Sequence, residues 1–427
     1  MAEPARKQAA DWLPDAGTGS GSRRLPLLAL LAANGVSLVG SQLTVLALPW
    51  FVLQTTGSAA RVGLTGATQG VSYVVAALLG GVVVDRVGFK RASVAADLAS
   101  ATAIALIPLL YYSMGLAFWQ FLGLVFLATA FSTPGSAARQ SLLPDLAARG
   151  AIRLERATAA DRAILNGALL TGSLLGGILI AVFTAGRVLW VDAASFGISA
   201  AAIGLLVAWA GPARPPASRS PAGTLDGVRF VRRHGVILGF ALLLAFVNAV
   251  GSALFGVVLP VYADRVLHSA LGLGAMVAAD GAGAVIGTIG FGLFSHRWPR
   301  RWVLVAAFGI SGAALALLTV SSVLALSLGL LFVEGMAGGT ISPLVYTVYQ
   351  ERIPASVRGR AFGAIFALQR LGGPLSTLLA GLALVRFSPR AMFGVVGVLS
   401  LLIPVIVLLT PAFRQIQPLP AGAVNPS

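Results

Sequence analysis

Gly81-Val82-Val83-Val84-Asp85-Arg86-Val87-Gly88-Phe89-Lys90-Arg91 separates two long apolar runs, residues 60–84 and 92–113. Four charges crowd into its last seven residues, while each flanking run has the length a bilayer core demands, about 20 residues. The pattern returns 211 residues later as Gly292-x-x-x-His296-Arg297-x-Pro299-Arg300-Arg301, again between apolar runs, 270–294 and 302–320. Two further matches keep the register. Leu48-Pro49 pairs with Leu259-Pro260 at 211 residues, and Gln140-x-x-x-Pro144 with Gln350-x-x-x-Pro354 at 210. Three matches in order, at equivalent places, point to a duplicated chain.

Working outward, the apolar segments are 26–53, 60–84, 92–113, 117–138, 162–184, 188–210, 236–262, 270–294, 302–320, 322–346, 361–385 and 391–411. Of 427 residues, 57% are hydrophobic and 10% charged, against about 25% charged in a soluble domain. Lipid is therefore the expected solvent. With the N-terminus inside, cytoplasmic segments hold 24 of the 30 Lys and Arg, outer loops hold five, and Arg370 lies within a span. The positive-inside rule then places both termini in the cytoplasm, and the net charge of +16 becomes a topology signal. Residues 1–25 lack a signal-peptide apolar core and read as a flexible cytosolic tail. Residues 26–210 form the first six-helix bundle, 211–235 a central loop, 236–411 the second bundle and 412–427 a tail. Within the loop, Thr224 to Val231 reads as a short amphipathic surface helix.

Composition also excludes chemistry. The absence of cysteine removes disulfides and thiolate sites, and His234, His268 and His296 share no metal-ligand spacing. No Gly-x4-Gly-Lys-Ser/Thr phosphate loop occurs. An enzyme, an ATP-driven pump, a cofactor, a resident metal and a nucleic-acid partner are all unexpected.

The 81–91 loop has a readable physical logic. Gly81 allows close helix approach, Gly88 permits a turn with positive φ, and Asp85 can pair with arginines or cap a neighbouring helix. A basic loop that only fixes orientation is the plainer alternative. On these residues the chain resembles the major facilitator superfamily, whose motif between helices 2 and 3 has this spacing. The resemblance implies an all-α polytopic membrane protein of twelve transmembrane helices in two pseudo-symmetric six-helix bundles. It also implies alternating access and a latch built from Gly81, Asp85, Arg86, Gly88, Lys90 and Arg91. Asp97, just inside the third span, is expected to partner that latch, with a proton site as the alternative.

Within the superfamily, Leu48-Pro49-Trp50-Phe51-Val52-Leu53, the Pro134…Ala138-Arg139-Gln140…Leu143-Pro144 stretch and Gln350…Ile353-Pro354…Arg358-Gly359-Arg360 resemble twelve-helix drug:proton antiporters of the macrolide-efflux type. One departure stands out. Those antiporters carry Gly-Pro-x-x-Gly-Gly in helix 5, where this chain has Gly172-Ser173-Leu174-Leu175-Gly176-Gly177. A Gly373-Pro374 pair occupies the eleventh span instead.

Ionisable groups inside spans are functional candidates, because lipid penalises them unless they are paired or hydrated. Asp280, Glu334 and Arg370 lie at similar depth in the eighth, tenth and eleventh spans, and Glu334 and Arg370 could meet. Either carboxylate could exchange protons under the influence of Arg370, or Glu334 and Arg370 could form a structural pair. Asp280 falls 211 residues after Gln69, so both halves place a polar group there. Asp192, near an outer end, is expected at the interface. The family fold implies Asn34, Gln42, Gln69, Tyr73, Asn166, Asn248, Phe255 and Tyr346 as cavity-wall candidates, although any single Asn or Gln could simply join helices. The resemblance thus implies a secondary transporter in the bacterial inner membrane, working as a monomer with a small-molecule substrate, protons and membrane lipids as partners. Proton-coupled efflux of amphipathic drug-like compounds is the leading function. A lipid, lysolipid or secondary-metabolite transporter is the alternative.

Overall fold

A computed structural model describes residues 20–207, 221–294, 298–354, 357–410 and 413, except for the side chains of 20–23, 81–83, 85 and 221–226. Twelve long helices run back and forth. In the first half they are Ser20–Thr56, Ala59–Val87, Phe89–Ser113, Phe118–Arg149, Leu154–Val182 and Ala185–Leu206. In the second half they are Gly235–Leu267, Ala270–Phe294, Arg300–Leu317, Leu324–Arg352, Arg358–Ala383 and Pro389–Leu409. Among the described residues, eleven are long and apolar enough to cross a membrane. The eleventh span, Arg358–Ala383, is more polar because Gln369, Arg370 and Gly372-Gly373-Pro374 occupy its middle. It packs against the second and seventh spans as part of the same bundle.

Several helices outrun their apolar segments. The fourth continues through Gln140 and Pro144 to Arg149, where a loop is expected from polarity. Leu142, Leu143, Leu146 and Ala147 explain the extension, because they are buried with Leu27, Leu30 and Leu31 of the first span. Pro221–Arg233 is helical and packs against the eleventh span. It includes the expected surface helix and is longer than it. Gly88 turns the chain between the second and third spans at φ +87°, and its N–H donates to the Val84 carbonyl at 2.9 Å. The seventh span contains π-helical turns at Leu254–Val258 and Ala263–Leu267 on either side of Pro260. Proline lacks an N–H, so the local ladder must rearrange around it.

Packing repeats between the halves. The first span contacts the fifth as the seventh contacts the eleventh, and the second meets the fourth as the eighth meets the tenth. Likewise the third touches the fourth and sixth, as the ninth touches the tenth and twelfth. The halves join chiefly through two crossings, second against eleventh and fifth against eighth, with smaller contacts of the seventh span on the first and second. Gly63, Gly66, Gly70 and Tyr73 descend along Gly381, Thr377, Pro374 and Arg370 in an antiparallel ladder. At the other crossing Gly177 faces Gly274, and a Cβ on Gly177 would stand 2.8 Å from the Gly274 Cα. Glycines bring backbones closer than any larger residue permits.

Both glycine crossings lie at the end of the bundle distal to the chain termini. One apolar cluster there joins both halves, with Leu46, Phe51 and Leu189 from the first and Val257, Tyr262 and Phe393 from the second. Arg265 also reaches across, donating to the Gly57 and Leu384 carbonyls at 3.4 Å each. At the terminus-bearing end each half keeps a separate cluster, one around Phe240 and Tyr349, the other around Leu30 and Leu146. The halves are therefore closed together distally and individually packed near the termini.

Candidate functional site

Five spans of the second half, the seventh to tenth and the twelfth, enclose a cavity of about 380 Å³. Phe246, Phe255, Phe308 and Ile341 supply apolar wall, while Asp280, Glu334, Ser311 and Ser342 supply polar groups. The Asp280 and Glu334 carboxyl groups lie within hydrogen-bonding reach of one another. The Ser311 hydroxyl donates to Glu334 Oε1 at 3.1 Å.

Glycine creates this contact. Gly283-x-x-x-Gly287 of the eighth span and Gly335-x-x-x-Gly339 of the tenth press each helix onto the other's backbone. A Cβ on Gly335 would overlap the Asp280 carbonyl oxygen, and one on Gly287 would overlap that of Met336. Glu334 directly precedes Gly335, so the same approach that needs glycine carries its carboxyl to Asp280. Thr288 adds a hydrogen bond from its hydroxyl to the Gly339 carbonyl at 2.9 Å.

Arg370 stands elsewhere. Its guanidinium lies over the Tyr73 ring, 4.7 Å from the centroid, at the crossing between halves. Among the described residues, the ion pairs within 4.0 Å do not join it to Glu334. The two acids face each other, and the arginine faces an aromatic of the other half.

Asp97 is fully buried in a polar network. Arg139 Nη1 donates to its Oδ1 at 2.7 Å and the Ser199 hydroxyl to its Oδ2 at 2.6 Å. Arg139 Nε donates to Asn34 Oδ1 at 3.0 Å, and Asn34 Nδ2 to Asp161 Oδ1 at 2.9 Å. Side chains of the first, third, fourth, fifth and sixth spans are thus tied together. Both Asp97 oxygens are engaged here, not with the described basic residues of the 81–91 loop. Arg86 and Arg91 are exposed and Lys90 is half-buried, while the side chains of Gly81 and Asp85 fall outside the described residues.

The wall candidates divide. Phe255 lines the second-half cavity, and Gln69 a smaller one in the first half. Gln42 packs on Gly172, Asn248 donates to the Leu244 carbonyl of its own helix at 2.8 Å, and Asn166 is exposed. Tyr346 joins an aromatic cluster with Tyr349, Phe362 and Phe366. Asp192 corrects the expectation of an interfacial position: it is 1% exposed and hydrogen-bonded by Thr44. The helix begins at Ala185, so Asp192 is two turns inside it. Ser311 and Asp161 escape sequence reasoning. Seryl groups on apolar spans are too common to single out, and Asp161 lies just outside the apolar segment that begins at 162.

Two helix bundles related by internal repetition, joined at one end around polar intramembrane groups, define a membrane transport protein. The Major Facilitator Superfamily profile matches residues 30–264 and again 241–425, and the chain belongs to that superfamily. The chain is 30% identical over 412 residues to the multidrug efflux pump Tap of Mycobacterium tuberculosis (strain ATCC 25618 / H37Rv), covering 95% of this chain and 98% of Tap. It is 28% identical over 413 residues to the enterobactin exporter EntS of Escherichia coli O9:H4 (strain HS), covering 91% and 94%. Among solved structures it resembles the nucleoside transporter NupG, with a TM-score of 0.72, 12% identity and coverage of 91% of this chain and 98% of that one.

Proposed function

We propose that the protein exports hydrophobic or amphipathic drug-like compounds in exchange for protons, by alternating access across the bacterial inner membrane. The observation that carries this reading is the Asp280–Glu334 pair at the edge of a largely aromatic and aliphatic cavity. Pockets of that kind hold organic ligands by apolar contact and orient them with few polar groups. Two adjoining acids repel once both are charged. A cationic or polar cargo group entering between them, or water reaching them as the halves rock, therefore changes how many protons they hold. The names of the efflux-pump relatives support the direction of transport.

The orientation puts both termini and 24 of 30 basic residues in the cytoplasm. In that frame the distal closure makes the described conformation open toward the cytoplasm. Residues 1–25, 26–210, 211–235, 236–411 and 412–427 are then tail, bundle, linker, bundle and tail, with the 81–91 loop latching the halves when the cytoplasmic side closes.

The test uses inverted membrane vesicles and a fluorescent cationic dye. Wild-type protein should accumulate dye when an acid-inside pH gradient is imposed, and proton efflux should accompany the accumulation. Glu334→Gln and Asp280→Asn should each collapse that coupling while the protein stays in the membrane. Wild-type coupling in both variants would exclude the acid pair as the proton site. The enterobactin exporter relative favours a second reading, export of the host's own secondary metabolites. A susceptibility panel with and without expression separates them, because metabolite export leaves drug susceptibility unchanged.

A further inference from the structure

The first half holds a buried acid that the exchange scheme leaves unused. Asp192 is 1% exposed; Thr44 donates to its Oδ2, and the Ser195 hydroxyl lies 3.2 Å from its Oδ1. The carboxyl edges a cavity of about 180 Å³ shared with Ser41, Gln69, Thr129 and Ser132. Room for it is built in. A Cβ on Gly40 of the first span would overlap both Ser195 Oγ and Asp192 Oδ1.

No described cation faces Asp192. The charged groups nearest along the spans packed on it are Asp97 of the third and Arg139 of the fourth, bonded to each other, with Ser199 two turns beyond Asp192 on the sixth. Asp161 of the fifth span is held by Asn34 of the first, and Arg187 is exposed at the distal end of the sixth. The second span offers only the uncharged Gln69 to this cavity.

The cavity is the repeat image of the one already described. Gln69 corresponds to Asp280 and Ile104 to Leu315 at 211 residues, and Thr129 and Ser132 to Gly339 and Ser342 at 210. Each member lines the cavity of its own half. Asp192 of the sixth span corresponds at 211 residues to Ile403 of the twelfth, which lines the other cavity. Both halves thus keep an acid in the same hollow, on different helices.

We infer that Asp192 is a second proton-binding site, so that each half of the transporter carries one. This rests on the proton-exchange reading above. A buried carboxylate without a counter-ion is costly unless hydrogen bonds or a proton compensate it. The Thr44 and Ser195 hydroxyls can stabilise the ionised form, and the hollow beside them admits the water that takes the proton from Asp192 and returns it.

Infrared spectra of the full-length protein in liposomes, taken from mildly acid to mildly alkaline buffer, test the assignment. The wild type should lose protonated-carboxyl C=O absorption reversibly as pH rises. One component should be missing in Asp192→Asn and retained in Glu334→Gln and Asp280→Asn. Spectra of Asp192→Asn that superimpose on wild type overturn the inference, as does a component that ignores pH. A component that sodium removes at constant pH also overturns it, in favour of a metal-cation site. If only Asp192 fails to titrate, the exchange reading survives; if no carboxyl titrates, both fall. Should Asp192→Asn not fold, Thr44→Val must shift the midpoint of that component, and an unshifted midpoint is equally fatal.

Discussion

Gly177→Ala should push the transporter out of its distally closed state, and the structure sets the size of the effect. The new Cβ would stand 2.8 Å from the Gly274 Cα, 3.0 Å from the Ala270 carbonyl oxygen and 3.1 Å from the Gly274 nitrogen. All three are backbone atoms that no rotamer change can move aside. Ordinary carbon contacts are about 3.5–4.0 Å, so the fifth and eighth spans must separate by roughly 1 Å at the crossing. Forcing a methyl group into a packed contact costs about 1–3 kcal/mol. The overlap exists only while the distal ends are together, so the penalty falls on that state alone. It corresponds to a shift of about 5- to 150-fold in the ratio of closed to open forms.

The protein has no cysteine, so Val257→Cys supplies a clean reporter. Val257 is 0% exposed within the distal cluster. Its maleimide reaction rate tracks the fraction of time the distal end is open, and Gly177→Ala should raise that rate by the same factor. Gly167→Ala on the same span is the control, since a Cβ there meets nothing within 4 Å and gains the same helix propensity. A wild-type labelling rate in Gly177→Ala would refute the claim that this crossing holds the halves together. Equal acceleration in Gly167→Ala would show that the clash is not the cause.

Other perturbations have expected outcomes of their own. Arg139→Met strands the buried Asp97 carboxylate and should cost about 3–5 kcal/mol, whereas Asp97→Leu with Arg139→Met should recover most of it; a double-mutant cycle on thermal unfolding measures both, and additive losses would rule the pair out. By contrast Glu351, 31% exposed and paired with Arg300 at 2.6 Å, should lose no more than about 1 kcal/mol as Gln. Gly335→Ala drives the tenth span off the Asp280 backbone, so dye binding should persist while proton coupling in vesicles is lost; retained coupling would show that the acids need not touch. Tyr73→Leu removes the face under Arg370, and the expected loss of about 0.5–2 kcal/mol should appear in unfolding of the wild-type background and vanish in an Arg370→Ala background.

The second-half site was partly legible in the chain. Asp280 and Glu334 stand out because charge inside an apolar run is rare and expensive in lipid. Which partner each one takes was not legible. Helix periodicity gives depth along a span but not the rotation of one span against another. The sequence left Glu334 free to meet Arg370, whereas close packing of Gly335 on the Asp280 backbone and of Gly287 on the Met336 backbone turns it toward Asp280. Asp192 shows the complementary failure. Its closeness to an apolar segment's edge suggested an interface, but the helix starts at Ala185 and Gly40 admits the carboxyl against the first span.

By itself, the sequence determined the solvent, the number of crossings, the duplication and the expected side of each loop. These follow from composition, run length and the recurrence of Gly81–Arg91, all of which act locally along the chain. Tertiary structure alone decided which acids face each other, which arginine holds Asp97, and at which end the halves close. Those outcomes depend on helices far apart in sequence approaching to backbone contact. Glycine makes such contact possible, but a glycine in a sequence does not say which helix will come to meet it.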